Sequence, residues 1–265
     1  MKLHGILPMA LVALASAMPA AARAQTGVQT ADKNADQARA ALNAMVQAMG
    51  GQAWLDMKNK MIEGRVAAFF QGRPDLGTTL TFQYHQWPDL DRIEETKHRD
   101  VDVIYIGNQG WEITYRGVQK LPKKQVEDFL RWREHSIETA IKVWMKNPQT
   151  LLLYEGPHLV ENRLGVQVSL ISPDNQSTTI VMSSDTHLPL RVEFQYRDPV
   201  YHDLNTDSVE FDNYHTIQGF PTPFSITHFH NGEMTQQYYV LRAVYNQELP
   251  PDFWNLDAIA RRVEK

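Results

Sequence analysis

Cysteine is missing from all 265 residues. Its absence excludes disulfide staples, thiolate zinc ligands and a catalytic thiol, and leaves nothing at a leader cleavage site to carry lipid. Basic charge is also in short supply: 26 Lys and Arg stand against 31 Asp and Glu, a net −5 with no basic run. This argues against nucleic acid as a partner and against simple attraction to an anionic membrane. Long apolar runs are scarce too. The one near the start, Ile6 to Ala17, is shorter than the about 20 residues a membrane span needs, and Pro19 and a polar stretch follow it. Preceded by Lys2 and followed by Ala22-Arg23-Ala24, it has the make-up of an export leader cleaved after Ala24. Residues 1–24 are therefore expected to be removed. Residues 25–265 are expected to form a single domain with no integral membrane segment, since no Gly/Ser/Pro-rich linker interrupts them. G-x-S-x-G, H-E-x-x-H, P-loop and G-x-G-x-x-G patterns are absent as well, so neither an enzyme class nor a cofactor has a witness in the sequence.

Periodicity supplies the positive information. Ala40, Ala41, Ala44, Met45, Ala48 and Met49 recur at helical spacing from Asp36 until Gly50-Gly51 stops the helix, and a shorter helical turn is expected at 52–57. From Lys60 to Arg116 the pattern becomes β-branched and aromatic, predicting strands at 61–71, 78–87, 91–98, 101–106 and 110–115. Their short connections allow hairpins but not the crossovers of a parallel sheet. A second set is predicted at 151–160, 165–172, 177–183, 188–196, 208–215, 222–230 and 233–244, with Asn231-Gly232 as a type I′ hairpin turn. The class is mainly β with some helix, a strongly curved antiparallel sheet of about 11–12 strands.

Between the two sets, Pro122 to Asn147 reads as one amphipathic helix. At about 100° per residue, Val126, Phe129, Leu130, Ile137, Ala140, Ile141 and Trp144 share one face, with Trp132 and Val143 on its flank. Such a helix must cover something apolar. Arg133 falls within about 20° of the middle of that face, and a charge there asks for a reason. It either snorkels or pairs with a wall carboxylate such as Glu94 or Glu95, or it holds the helix down by bonding barrel backbone or a ligand head group.

Several stretches resemble the LolA-like outer-membrane lipoprotein-sorting proteins. Tyr84–Arg92 is similar to that family's strand ending in x-x-P-x-x-x-R, and Val103–Trp111 to its y-x-G-x-x-x-W hairpin. Asn213-Tyr214, Gly219–Pro223 and Asn246–Phe253 resemble its closing strands and tail. The resemblance implies a half-open barrel whose apolar concave face is closed by the N-terminal and mid-chain helices as a lid. It further implies a periplasmic protein that encloses acyl chains of lipoproteins or another lipid and carries them, with inner- and outer-membrane partner proteins. A sensor of lipid or lipoprotein, as in the RseB relatives, is the alternative use of the same fold. One departure stands out: where the lipoprotein carrier has an arginine before the strand-ending proline, this sequence has Trp87.

The residues expected at the ligand cavity and lid are Trp87, Trp111, Val126, Phe129, Leu130, Arg133, Ile137, Ile141 and Trp144. Aromatics such as Phe69, Phe82 and Phe194 either line a cavity or fill a core. His228, His230 and Glu233 could converge on a metal if the Asn-Gly hairpin sets His230 opposite Glu233, which would make a metal-dependent hydrolase. The same register puts Phe229, Met234, Tyr238 and Val240 on the opposite face, as the interior, and leaves the histidines outside. The acidic stretch Asp89, Asp91, Glu94, Glu95, Asp100 and Asp102 is expected to solvate strand ends.

Overall fold

The computed structural model describes residues 20–75 and 77–263. Of the expected leader, residues 1–19 lie outside this description. Helix α1 runs Ala20–Met49, beginning well before Asp36, and α2 is confined to Gln52–Leu55. The first meander consists of β1 (Asn59–Phe70), β2 (Arg73–Pro74), β3 (Thr79–Gln86), β4 (Leu90–Glu95), β5 (Val101–Ile106), β6 (Gln109–Thr114) and β7 (Gly117–Lys120). The second consists of β8 (Leu151–Val160), β9 (Arg163–Ile171), β10 (Ser177–Ser183), β11 (Pro189–Arg197), β12 (Leu204–Ile217), β13 (Phe220–His230) and β14 (Glu233–Tyr245). The two strands beyond the expected dozen are β2 and β7, both too short to show a period of two.

All these strands join one antiparallel sheet in the order β7-β6-β5-β4-β3-β1-β14-β13-β12-β11-β10-β9-β8, with β2 hairpinned onto β1. The pairing of β1 with β14, Lys60 opposite Tyr245 through Ala68 opposite Gln236, joins the two meanders. Bulges at Glu63/Gly64, Tyr154/Gly156, Val181/Met182 and His228/Phe229 add local twist and bend the sheet. This order puts β7 and β8 at the two free edges. The chain between them, residues 121–150, must therefore cross from one edge to the other, and it carries the lid.

That crossing is two helices, not one: α3 (Lys123–Glu134) and α4 (Ile137–Lys142), then a 3-10 turn at Trp144–Lys146. Ser136 breaks the run because its hydroxyl accepts from Thr139 N–H at 3.2 Å and caps α4, while the Thr139 hydroxyl bonds the Arg133 carbonyl at 2.8 Å. The break also separates fates. Ile137, Ala140, Ile141 and Trp144 are buried with Leu42, Met45 and Met49 of α1 against Leu152, Leu170, Ile180 and Met182, whereas α3 has no buried residue.

A C-terminal helix, α5 (Leu256–Val263), covers the convex side of the first meander, where Ile259 meets Ile104 and Ile113. Two members of the acidic stretch are buried beneath it rather than solvating strand ends: Arg92 pairs with Glu94 and Asp102, both at 2.8 Å, and Arg262 reaches Asp102 at 2.7 Å. Burial raises the Glu94 pKa against the pull of Arg92 and Arg262.

Candidate functional site: an apolar cavity under a hinged helix

On the concave side α1 and α4 pack in front of β8–β11 and reach Phe220 of β13 and Ala243 and Tyr245 of β14. Elsewhere a cavity of about 350 Å³ remains, within the range of about 300–1,000 Å³ usual for small-molecule sites. Its wall is Ile62 of β1, Ile93 of β4, Val209 and Phe211 of β12, Ile226 of β13 and Tyr245 of β14. Trp54, Met57, Trp87 and Phe220 close one end. Phe129, Trp132, Arg133 and Ile137 lie over it from the lid.

Helix α3 is held by side chains alone. Phe129 stacks on Tyr105 with ring centroids 3.6 Å apart, Trp132 meets Phe194 and His228 edge-on at 4.9 and 5.0 Å, and the Arg131 guanidinium lies 3.9 Å from the Tyr196 ring centre. Arg133 makes the strongest tie. Its Nη1 donates to the Gly107 carbonyl at 2.8 Å, and its Nη2 lies 2.8 Å from Asp91 Oδ2. The expected partners Glu94 and Glu95 are not used: Asp91 faces the cavity, whereas Glu94 faces α5.

The hinge between the lid helices is His135, stacked on Phe194 at 4.2 Å with Nδ1 2.7 Å from the Thr178 hydroxyl. Burial lowers its pKa to about 4. At the Trp87 end the cavity becomes charged. His85 Nδ1 is 2.6 Å from Asp91 Oδ1, and Lys60 pairs with Glu138. Burial alone would raise the Glu138 pKa, but Lys60 and His85 outweigh it and bring it to about 2. Burial works against the charged form of Lys60 too, yet Glu138 raises its pKa overall.

The sequence-predicted residues divide accordingly. Trp87, Phe129, Arg133 and Ile137 line the cavity. Val126 packs over Gly110 on the barrel wall, Ile141 and Trp144 are core, and Leu130 and Trp144 border a second groove of about 1070 Å³ that shares His135 with the cavity. Trp111 is on the wrong side: it lies opposite Ile104, and that face packs against α5. The histidine pair is corrected as well. Thr235 is an extra residue in β14, so Met234 stays opposite Phe229 while Gln236 and Tyr238 fall opposite His228 and Ile226. A one-residue bulge turns the rest of a strand over. His228 consequently faces the cavity together with Tyr238's side of β14, and burial lowers its pKa to about 4. His230 bonds Asp207 at 2.6 Å instead, and Glu233 is exposed. Among the described residues no three His, Asp or Glu side chains are arranged to hold a metal ion.

Sequence reasoning missed Trp54, Lys60, Phe211, Tyr245 and Glu138. The one available signal was Lys60 two residues before Ile62, on the same strand face as an apolar wall residue.

No protein-family model matches the chain, and none of the curated proteins matches it. Solved structures do. A DUF1329 family protein from Desulfovibrio piger superposes with a TM-score of 0.57 at 13% identity, over 83% of this chain and 98% of that one. A putative outer membrane lipoprotein-sorting protein domain from Vibrio parahaemolyticus gives 0.56 at 11% identity, over 87% and 100%. A LolA superfamily protein from Nitrosomonas europaea gives 0.53 at 13%, over 83% and 98%. At these identities the likeness establishes the fold, which is LolA-like.

Proposed function

We propose that this LolA-like chain is an exported, periplasmic carrier that encloses an acyl chain of a lipid or lipoprotein under α3 and releases it by lid opening, with no chemical step. The observation that carries the reading is an apolar cavity roofed by a helix with no buried residue of its own. Each buried methylene contributes about 0.8 kcal/mol, so about ten of them give about 8 kcal/mol, a micromolar affinity without any charged contact. The cavity volume favours one chain over several. Release then requires that α3 exchange a few ring contacts, the Arg133–Gly107 hydrogen bond and one ion pair for water. Two of the similar structures carry descriptions naming lipoprotein sorting or the LolA superfamily, which fits the same use. Donor and acceptor proteins in the two membranes belong to this reading.

The test is native mass spectrometry of protein purified from the periplasm, with organic extraction, comparing wild type with Ile226→Trp, which fills the cavity from its wall. A lipid that accompanies the wild type and is lost from the variant supports the carrier. Wild-type protein that is empty and takes up no added lipid overturns it.

A further inference from the structure

A cavity built only for hydrocarbon has no use for ionised walls, because a buried ion pair is seldom more stabilising than an apolar pair of the same volume. Yet one end of this cavity carries Lys60, His85, Asp91, Arg133 and Glu138. Two of the pairs have structural work: Arg133 with Asp91 holds α3, and Lys60 with Glu138 ties β1 to α4.

Two groups are left over, and both flank Trp87. The His85 ring stands edge-on to it at 4.6 Å; its Nδ1 is taken by Asp91, and its buried Nε2 has no hydrogen-bond partner among the described residues. Lys142 Nζ lies 4.5 Å from the centre of the Trp87 ring and 5.5 Å from that of Trp54. It has no carboxylate within ion-pair distance among the described residues, and its nearest oxygen contact is the Met57 carbonyl at 3.5 Å. Lys60 and Arg133 line this end of the cavity and are matched by Glu138 and Asp91, while Lys142, not itself a lining residue, adds a positive charge against the Trp87 ring near the unused imidazole nitrogen. Burial lowers the Lys142 pKa to about 8, against the pull of Glu138, which marks it as a cation short of a counter-charge.

We propose that the His85–Trp87–Lys142 end of the cavity is a head-group subsite for the carboxylate or phosphate of a single-chain anionic amphiphile whose tail lies along the apolar remainder. Lys142 supplies charge from a flexible stem, His85 Nε2 a hydrogen bond when protonated, and Trp87 a flat wall at the head–tail boundary. The proposal rests on the acyl-chain reading and narrows it.

Isothermal titration of the full mature protein with dodecanoate, dodecyl phosphate and dodecanol, which share one tail, separates the two ideas. The subsite requires at least one anion to bind ten-fold or more tighter than the alcohol, and the better anion identifies the head chemistry. Lys142→Gln and His85→Phe must each shrink that anion-to-alcohol ratio at least three-fold, while Lys123→Gln, on the exposed side of the lid, leaves it unchanged. Equal binding of alcohol and anions, or a ratio untouched by both variants, overturns the subsite and leaves the carrier standing. Failure of all three ligands to bind overturns the carrier reading and the subsite with it.

Discussion

Arg133 and Asp91, 42 positions apart, form an ion pair 2.8 Å long that bridges α3 to β4 at the cavity. Asp91 serves two partners, since its other oxygen is 2.6 Å from His85 Nδ1. The pair therefore couples the lid to the charged end of the site.

Breaking the pair should loosen the lid before it unfolds the sheet. Arg133→Met leaves Asp91 in place without its cation, a change that costs about 3 kcal/mol where both partners are largely buried. Hydrogen exchange should rise at least ten-fold over 123–134 and stay unchanged in β12–β14. Arg133→Lys is expected to rescue only in part, because one ammonium cannot span Asp91 and the Gly107 carbonyl as a guanidinium does. Unchanged exchange in both variants would mean that the ring contacts suffice.

The two lid helices should respond differently to truncation. Ile137→Ala removes a side chain buried against α1 and is expected to lower global stability by about 3 kcal/mol in urea unfolding. Phe129→Ala removes the stack on Tyr105, the ring near the Arg133 guanidinium and part of the cavity roof, costs about 1 kcal/mol, and should instead speed release of a bound fluorescent fatty acid. Equal losses in the two would contradict the division at Ser136.

Gly64 marks the place where β1 and β14 shift register. A Cβ there would stand 2.5 Å from the Tyr239 carbonyl oxygen and 2.7 Å from the Tyr238 ring. Gly64→Ala should cost about 2 kcal/mol. Adding Tyr238→Ala should recover little, because the carbonyl contact persists; full recovery would place the clash in the ring alone.

Acid should weaken the hinge in a defined window. His135 binds a proton near pH 6.5 when unfolded and only near pH 4 when folded, so the unfolded state takes up more protons between these values. Stability present above pH 6.5 is thus lost as the pH falls to 4, by an amount on the order of 3 kcal/mol. His135→Gln should remove about half of the fall in melting temperature over that window, because His228, lowered to about 4 by burial as well, keeps its share. Glu138, depressed to about 2 by Lys60 and His85 against burial, acts lower: its stabilisation is complete above pH 4.5 and is lost toward pH 2. A His135→Gln melting curve that parallels wild type from pH 6.5 to 4 would contradict the assignment.

The strand pattern was legible because runs of β-branched and aromatic residues between turn residues are local signals. Residues at β5, β8 and β10 announce their elements through their immediate neighbours, and Asn231-Gly232 announces its turn. Arg133 was legible as well, since a charge in the apolar stripe of a helix is visible without knowing its partner. The break at Ser136 was hidden because α4 keeps burying residues at helical spacing after the chain has changed direction. The face of His228 was hidden because one unpaired residue, Thr235, inverts everything beyond it without altering the alternation on either side.

The sequence by itself determined the first helix, the twelve longer strands with their antiparallel connections and the need for something apolar beneath residues 123–144. Only the tertiary structure decided what the cavity is made of. Lys60 meets Glu138 across 78 positions, Arg133 meets Asp91 across 42, and Lys60 on β1 lies beside Tyr245 on β14 because these two strands join the two meanders in the middle of the sheet. Such pairings depend on strand order and bulge placement, and no local period encodes either.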